Sequence, residues 1–304
     1  MSNSIRIGVH SHNLSVFTLS RKPELLEDLL QPTGISVKWI AEKGGKQTVK
    51  LLKAGEIDIG ATGTTPPILA QAEGVPVVYL ATSQPRPVHG AIVVPEDSTI
   101  HKVADLKGKT IALSEGSYQQ HLLAIALDKA GLTYQDVKTV DYRTIDIVQA
   151  FLKNEVDVWV AADLTLAEVQ KNHKFRVLLY SSDLFSNRSI YFTHRPFADK
   201  YPEALAAFIR ALERVDRWIA THFSDAAELL ATEIGNFDAS SWELSLRKRP
   251  WGLVPPSQEF IAEQQYATDV FERFGLIPNK INVSEALLSE PLSVFETNLA
   301  VSEK

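Results

Sequence analysis

The sequence predicts an α/β chain folded as two lobes, and three observations carry that prediction. Short β-branched runs alternate with longer amphipathic helical patterns through the first two thirds, the rhythm of βαβ units and of two mostly parallel sheets flanked by helices. Two polar or proline-bearing stretches interrupt that rhythm and read as crossings between lobes. The length, 304 residues, exceeds the needs of one small core and suits two medium ones.

In chain order, strands are expected at residues 5–9, 37–40, 57–62 and 75–81. Pro85 and Pro87 then hold the segment 83–90 out of any helix. Further strands are expected at 92–94, 110–114, 137–142, 156–161 and 177–180, and another at 189–193 after the polar run 181–188. A helix over 117–130 repeats Leu122, Leu123, Ala126 and Leu127 at helical spacing and closes on Gly131. From Tyr201 the alternation stops: Leu205, Phe208, Ile209, Leu212, Val215, Trp218 and Ile219 form one long stripe, followed by helical patterns at 226–234, 240–247 and 258–274. The last third is therefore helical. Residues 1–83 and 189–304 make a discontinuous lobe, 88–185 an inserted lobe, and 84–87 with 186–188 two hinge crossings.

Composition excludes several classes. Hydrophobic residues are 45% and charged residues 22%, so the chain can bury a sizeable core. The net charge is -6 and no basic block stands anywhere, which argues against a nucleic-acid partner. Cysteine is absent, removing disulfides, thiolate nucleophiles and Cys-ligated metals. No apolar run approaches the roughly 18 to 20 residues of a bilayer span, and the first four residues lead straight into a strand without a signal-peptide pattern. No phosphate loop, G-x-S-x-G elbow, G-x-G-x-x-G or H-E-x-x-H motif occurs, so binding is favoured over catalysis and no cofactor is expected.

Two strand–turn–helix segments could hold an anion. In the first, Thr62-Gly63-Thr64-Thr65-Pro66-Pro67, Thr65 is expected to cap a helix whose first residue is Pro66, leaving backbone amides and three hydroxyls available. The second, Ser114-Glu115-Gly116-Ser117-Tyr118-Gln119, lies in the other expected lobe, with Ser117 as cap and Gly116 allowing close backbone approach. Either set could serve only to cap its helix. His10 and His12 would share a face in a strand and could hold a metal, but no third ligand is adjacent, so none is assigned.

The segments Ile5-Arg-Ile-Gly-Val-His10, Leu51-Leu-Lys-Ala-Gly-Glu-Ile-Asp58-Ile-Gly-Ala-Thr-Gly63 and Pro66-Pro-Ile-Leu-Ala-Gln-Ala-Glu-Gly74, followed by Lys102-Val-Ala-Asp-Leu-Lys-Gly108, Gly116-Ser117 and Arg195-Pro-Phe-Ala-Asp-Lys, together resemble one family. It is that of the periplasmic substrate-binding proteins of aliphatic sulfonate ABC importers, a group of sulfonate, taurine and nitrate binders. The resemblance implies the type II periplasmic binding-protein fold, a small anionic ligand held between two lobes, a membrane permease as partner, a monomeric state and a periplasmic location. It also implies ligand-facing positions at the loop with His10, His12 and Asn13, at Thr62-Gly63-Thr64, and at Gly116-Ser117. Where the family commonly shows Trp-Asp-Pro-Tyr or Trp-Asp-Pro-Phe, this chain reads Ala162-Asp163-Leu164-Thr165, so an aromatic wall is missing. Without a leader, a cytoplasmic location stays open.

Arginine suits a sulfonate because its planar fork donates two parallel hydrogen bonds. Arg86 and Arg188 lie in the expected crossings, and Arg249 beside Trp251 could reach a cleft rim. The rival reading is a cytoplasmic enzyme on the same fold acting on a sulfur- or nitrogen-containing small molecule, with His10, His12, His121 and Asp163 as acid–base groups. A ligand-sensing domain of a regulator ranks last, since no helix-turn-helix flanks the fold.

Overall fold

The computed structural model describes residues 4–86, 90–141, 144–290, 292, 294 and 295. Contacts divide the chain into two compact units, Met1–Gln84 with Arg188–Ala262 and Ile281–Lys304, and Pro85–Asn187 with Glu263–Lys280. Among the described residues the strands are β1 Ser4–Val9, β2 Ser36–Ala41, β3 Ile59–Thr62, β4 Val77–Ser83, β5 Gly90–Pro95, β6 Thr110–Leu113, β7 Lys138–Asp141, β8 Val158–Ala162, β9 Phe175–Tyr180, β10 Ile190–His194 and β11 Leu253–Val254.

The first unit holds a six-stranded sheet in the order β11-β4-β10-β3-β1-β2. Ile5, Ile7, Ile59 and Ala61 are buried on its central strands, and Leu52, Ile57, Tyr79, Phe192 and Phe260 belong to one core that fixes the register apolar-inward. The second unit holds a five-stranded sheet in the order β7-β6-β8-β5-β9, with Ala91, Phe151, Trp159 and Ala161 in its core.

Both sheets are mixed, where the sequence reading had them mostly parallel. β1 is parallel to β2 and β3, but β10 runs antiparallel to β3 and β4 and β11 antiparallel to β4; β6 is parallel to β7 and β8, but β5 runs antiparallel to β8 and β9. The cause is where the chain re-enters each unit. β10 begins with Ile190 paired to Thr62, the last residue of β3, and β5 begins with Gly90 paired to Ala162, the last residue of β8. A strand that starts at the carboxyl edge of its neighbour can only run back along it, whereas a parallel pair needs a crossover returning to the amino edge.

The expected lobe 189–304 also needs correction, because Glu263–Lys280 packs in the second unit. Tyr266 Oη donates to Asp128 at 2.6 Å, Arg273 pairs with Asp128 at 2.5 Å, and Gln135 Nε2 donates to the Phe274 carbonyl at 3.2 Å. These partners are more than a hundred residues distant in sequence, beyond the reach of periodicity. Residue 87 of the expected crossing 84–87, residues 88 and 89 of the inserted lobe, and residue 142 of the expected strand 137–142 lie outside the described residues.

Candidate functional site

In open α/β sheets ligands sit outside the carboxyl ends of parallel strands, so the loops after β1, β2 and β3 in the first unit and after β6 and β8 in the second are the places to examine.

After β1 the chain turns through His10 and His12 into the helix Leu14–Arg21. His10 is 6% exposed; its Nε2 lies 2.8 Å from the Ala61 carbonyl and its Nδ1 accepts the His12 N–H at 3.2 Å. The ring is thus the neutral Nε2–H tautomer. Burial first, then the neighbouring His12, pushes its pKa down to about 4 against the Ala61 bond. With both nitrogens engaged, His10 fastens the loop to β3. His12 is exposed, its ring tilted against His10 with centroids 5.6 Å apart. Among the described residues no three His, Asp or Glu side chains gather as a metal site.

Asn13 is the residue whose geometry suits a ligand best. It is 3% exposed, and its Oδ1 caps the helix by accepting the Val16 N–H at 3.1 Å, while its Nδ2 is buried without a hydrogen-bond partner. A buried amide donor left unmade costs about 1 to 3 kcal/mol, so one that persists beside a helix N-terminus invites an acceptor.

The turn after β3 is less open than expected. The helix is Thr65–Ala72, so Thr65 is its first residue and Thr64 stands at the cap with helical backbone and no capping side-chain bond. Pro66 and Pro67 carry no N–H, and the Ile68 N–H makes the first intrahelical bond to the cap carbonyl, so the first turn has fewer amides to offer than expected. Thr62, Thr64 and Thr65 are all buried, and Thr62 Oγ1 donates to the Gly63 carbonyl at 3.0 Å. The register Thr62–Ile190–Thr82 sets Thr82 in the same row of the sheet. Its hydroxyl is buried and unpartnered, and sequence reasoning missed it because nothing local distinguishes a threonine near the end of β4. Arg188, 9% exposed, donates from Nη1 to the Ser83 carbonyl at 3.0 Å and braces the chain where it enters the first unit.

In the second unit the helix Tyr118–Lys129 begins at Ser117, as expected. Its donors, however, are engaged internally. The Ser114, Glu115 and Gly116 N–H groups go to Gln119 Oε1, Asp141 Oδ1 and Gln120 Oε1 at 2.7, 3.1 and 2.8 Å. Ser117 Oγ donates to the Ser114 carbonyl at 2.6 Å and accepts the Gln119 N–H at 3.1 Å; Gln119 Nε2 donates to the Val160 carbonyl at 2.7 Å. Tyr118 Oη reaches the Ala161 carbonyl at 3.3 Å, and its ring occupies the space over Gly90, where a Cβ would come within 2.6 Å. These residues build a helix start more than they present one. Arg86, 8% exposed, has its backbone N–H on the Ser186 and Asn187 carbonyls at 3.1 and 3.2 Å. His121 is 1% exposed and stacks on Phe185 with centroids 4.3 Å apart; burial pushes its pKa down to about 3, so it belongs to the interior. The side chain of Asp163 lies outside the described ones.

The chain matches the family described as NMT1/THI5 like over residues 29–226. It is 30% identical over 284 residues to an Escherichia coli (strain K12) protein named as aliphatic sulfonates-binding, covering 93% of this chain and 88% of that one. The crystal structure of the periplasmic aliphatic sulphonate binding protein SsuA from Escherichia coli superimposes with a TM-score of 0.85 at 30% identity, over 96% of this chain and 93% of that chain. The alkanesulfonate-binding protein SsuA from Xanthomonas axonopodis pv. citri, bound to MOPS, gives 0.81 at 27% identity, over 94% and 98%.

Proposed function

The chain belongs to the NMT1/THI5-like family, among the sulfonate- and taurine-type solute-binding proteins of ABC importers, and from that premise we propose that it captures a small organosulfonate or related oxyanion in the periplasm and delivers it to a membrane permease. In this reading it works as a monomer, residues 84–87 and 186–188 serve as hinges, and the ligand is enclosed by both units. The observation that carries it is Asn13, a buried donor without a partner beside a helix N-terminus at the carboxyl edge of β1. Against acid–base catalysis stand His10, with both nitrogens engaged, and His121, sealed behind Phe185.

Thermal melting against alkanesulfonates, aromatic sulfonates, taurine, nitrate and sulfate tests the reading, because a ligand bound only to the native state stabilises it by RT ln(1 + [L]/Kd). A sulfonate should raise the midpoint, return chemically intact by mass spectrometry, and lose roughly tenfold or more in affinity in Asn13→Ala. Stabilisation by none of these compounds, or release of sulfite from a bound sulfonate, refutes it.

A further inference from the structure

In the second unit, residues next to three of the four points where the chain crosses between units surround one open cavity of about 350 Å³. Pro85 and Arg86 start the unit's first run, Ser182 to Ser186 lie just before that run ends at Asn187, and Glu263 starts the second run. The volume falls in the range of small-molecule sites.

The lining is amphipathic and its charge is unbalanced. Glu263 Oε2 accepts Ser186 Oγ at 2.5 Å and the Ser186 N–H at 3.3 Å, and Asp183 Oδ2 accepts the Tyr180 N–H at 3.0 Å. Among the described residues neither carboxylate has a cationic side chain within ion-pair distance. Among the described lining residues Arg86 is the one cation, more than nine-tenths buried, beside the two acids Asp183 and Glu263. Pro85, Leu184 and Phe185 supply apolar wall, with Phe185 held in place by its stack on uncharged His121.

The lining run is also flanked by polar groups lacking partners. Ser181 Oγ and both polar atoms of the Asn187 side chain are buried and make no hydrogen bond, and Asn187 sits at φ +32°. Buried polar atoms are nearly always paired, so orphans at the two ends of the lining run mark places where a polar guest or ordered water completes the structure.

We infer that this cavity of the second unit is a binding site for a small organic cation: a primary ammonium on a short apolar body. The ammonium supplies the positive charge that Glu263 and Asp183 lack, and the body covers Leu184 and Phe185. An anion would meet two carboxylates against the single Arg86, and a neutral molecule would leave the carboxylates without a counter-charge.

The test uses the full chain with benzylammonium as probe and benzyl alcohol as its neutral counterpart, at fixed ionic strength. Hydrogen exchange of the amides at 182–187 and the thermal midpoint are followed together. Benzylammonium should bind saturably in the millimolar range, slow exchange in that segment, and weaken about tenfold in Glu263→Gln/Asp183→Asn, the equivalent of about 1.4 kcal/mol. Circular dichroism without probe checks that this variant folds; should it fail to fold, Leu184→Trp, which fills the cavity, must abolish the response. Equal binding of benzyl alcohol, undiminished binding by the folded variants, or no saturable binding overturns the inference. None of these outcomes depends on whether a sulfonate binds.

Discussion

Glu42 follows β2 and is fixed by its N–H to the Val9 carbonyl at 2.9 Å. Thr48 Oγ1 lies 2.7 Å from each of its carboxyl oxygens, and Oε1 sits where a Cβ on Gly8 would come within 2.8 Å. Among the described residues no cation pairs with it. Burial pushes its pKa up to about 7 from 4.5, partly opposed by the Thr48 bond. The folded chain therefore holds more protons than the unfolded chain between about pH 4.5 and 7, and stability contributed at Glu42 falls as pH rises through that window. At about 1.4 kcal/mol per unit the ceiling is about 3 kcal/mol, and partial solvent access reduces it to roughly 1 to 2 kcal/mol. Glu42→Gln keeps an acceptor for Thr48 and cannot titrate. Urea melts of both proteins near pH 5 and pH 8 isolate the effect, since every other titrating group is common to both. The variant should gain roughly 1 to 2 kcal/mol on wild type in going from the lower pH to the higher. A wild-type-minus-variant difference that is the same at both pH values refutes the assignment of a raised pKa to Glu42.

Ser117→Ala should lower stability by about 1 kcal/mol, as loss of an N-cap does, yet leave sulfonate affinity within about twofold, because its hydroxyl proton is already given to Ser114; isothermal titration beside a denaturant melt separates the two. Asp216, buried and accepting Ser15 Oγ at 2.6 Å and the Gly252 N–H at 3.1 Å, ties the helix Leu14–Arg21 to the approach to β11. Asp216→Ala orphans both donors and should cost roughly 2 to 4 kcal/mol by denaturant melt. His121, with its pKa pushed down to about 3 from 6.5, makes the fold lose stability as pH falls through that interval. His121→Phe should flatten that acid limb, by up to roughly 4 kcal/mol near pH 3.5, in melts at stepped pH.

What the sequence discloses is what depends on near neighbours. The ten expected strands have counterparts in β1 to β10, and Ser117 is legible as a cap from its place between a strand and a helical stripe. β11 was not legible: two residues carry no alternation, and its pairing with β4 depends on contacts such as Asp216 to Gly252. The candidate site was legible as loops but not as chemistry. Whether a hydroxyl or amide is available depends on partners such as Asp141, Val160 and Ala161, which no spacing rule ties to Ser114 or Tyr118. Asn13 and Ser117 look alike as polar residues before helices; only the fold separates the donor left over from the hydroxyl already committed.

The late arrival of β10 has a consequence for synthesis. β3 and β4 are complete by residue 83, yet the strand that pairs with both of them, lying between the two, begins at Ile190, so more than a hundred residues emerge before those inner edges close. During that interval the whole of the second sheet is made, while Ala61, Tyr79 and Leu80 border unpaired backbone. A nascent chain stalled before Ile190 thus exposes two apolar strand edges of the kind that seed aggregation, and only the passage of residues 190–194 into the gap removes them.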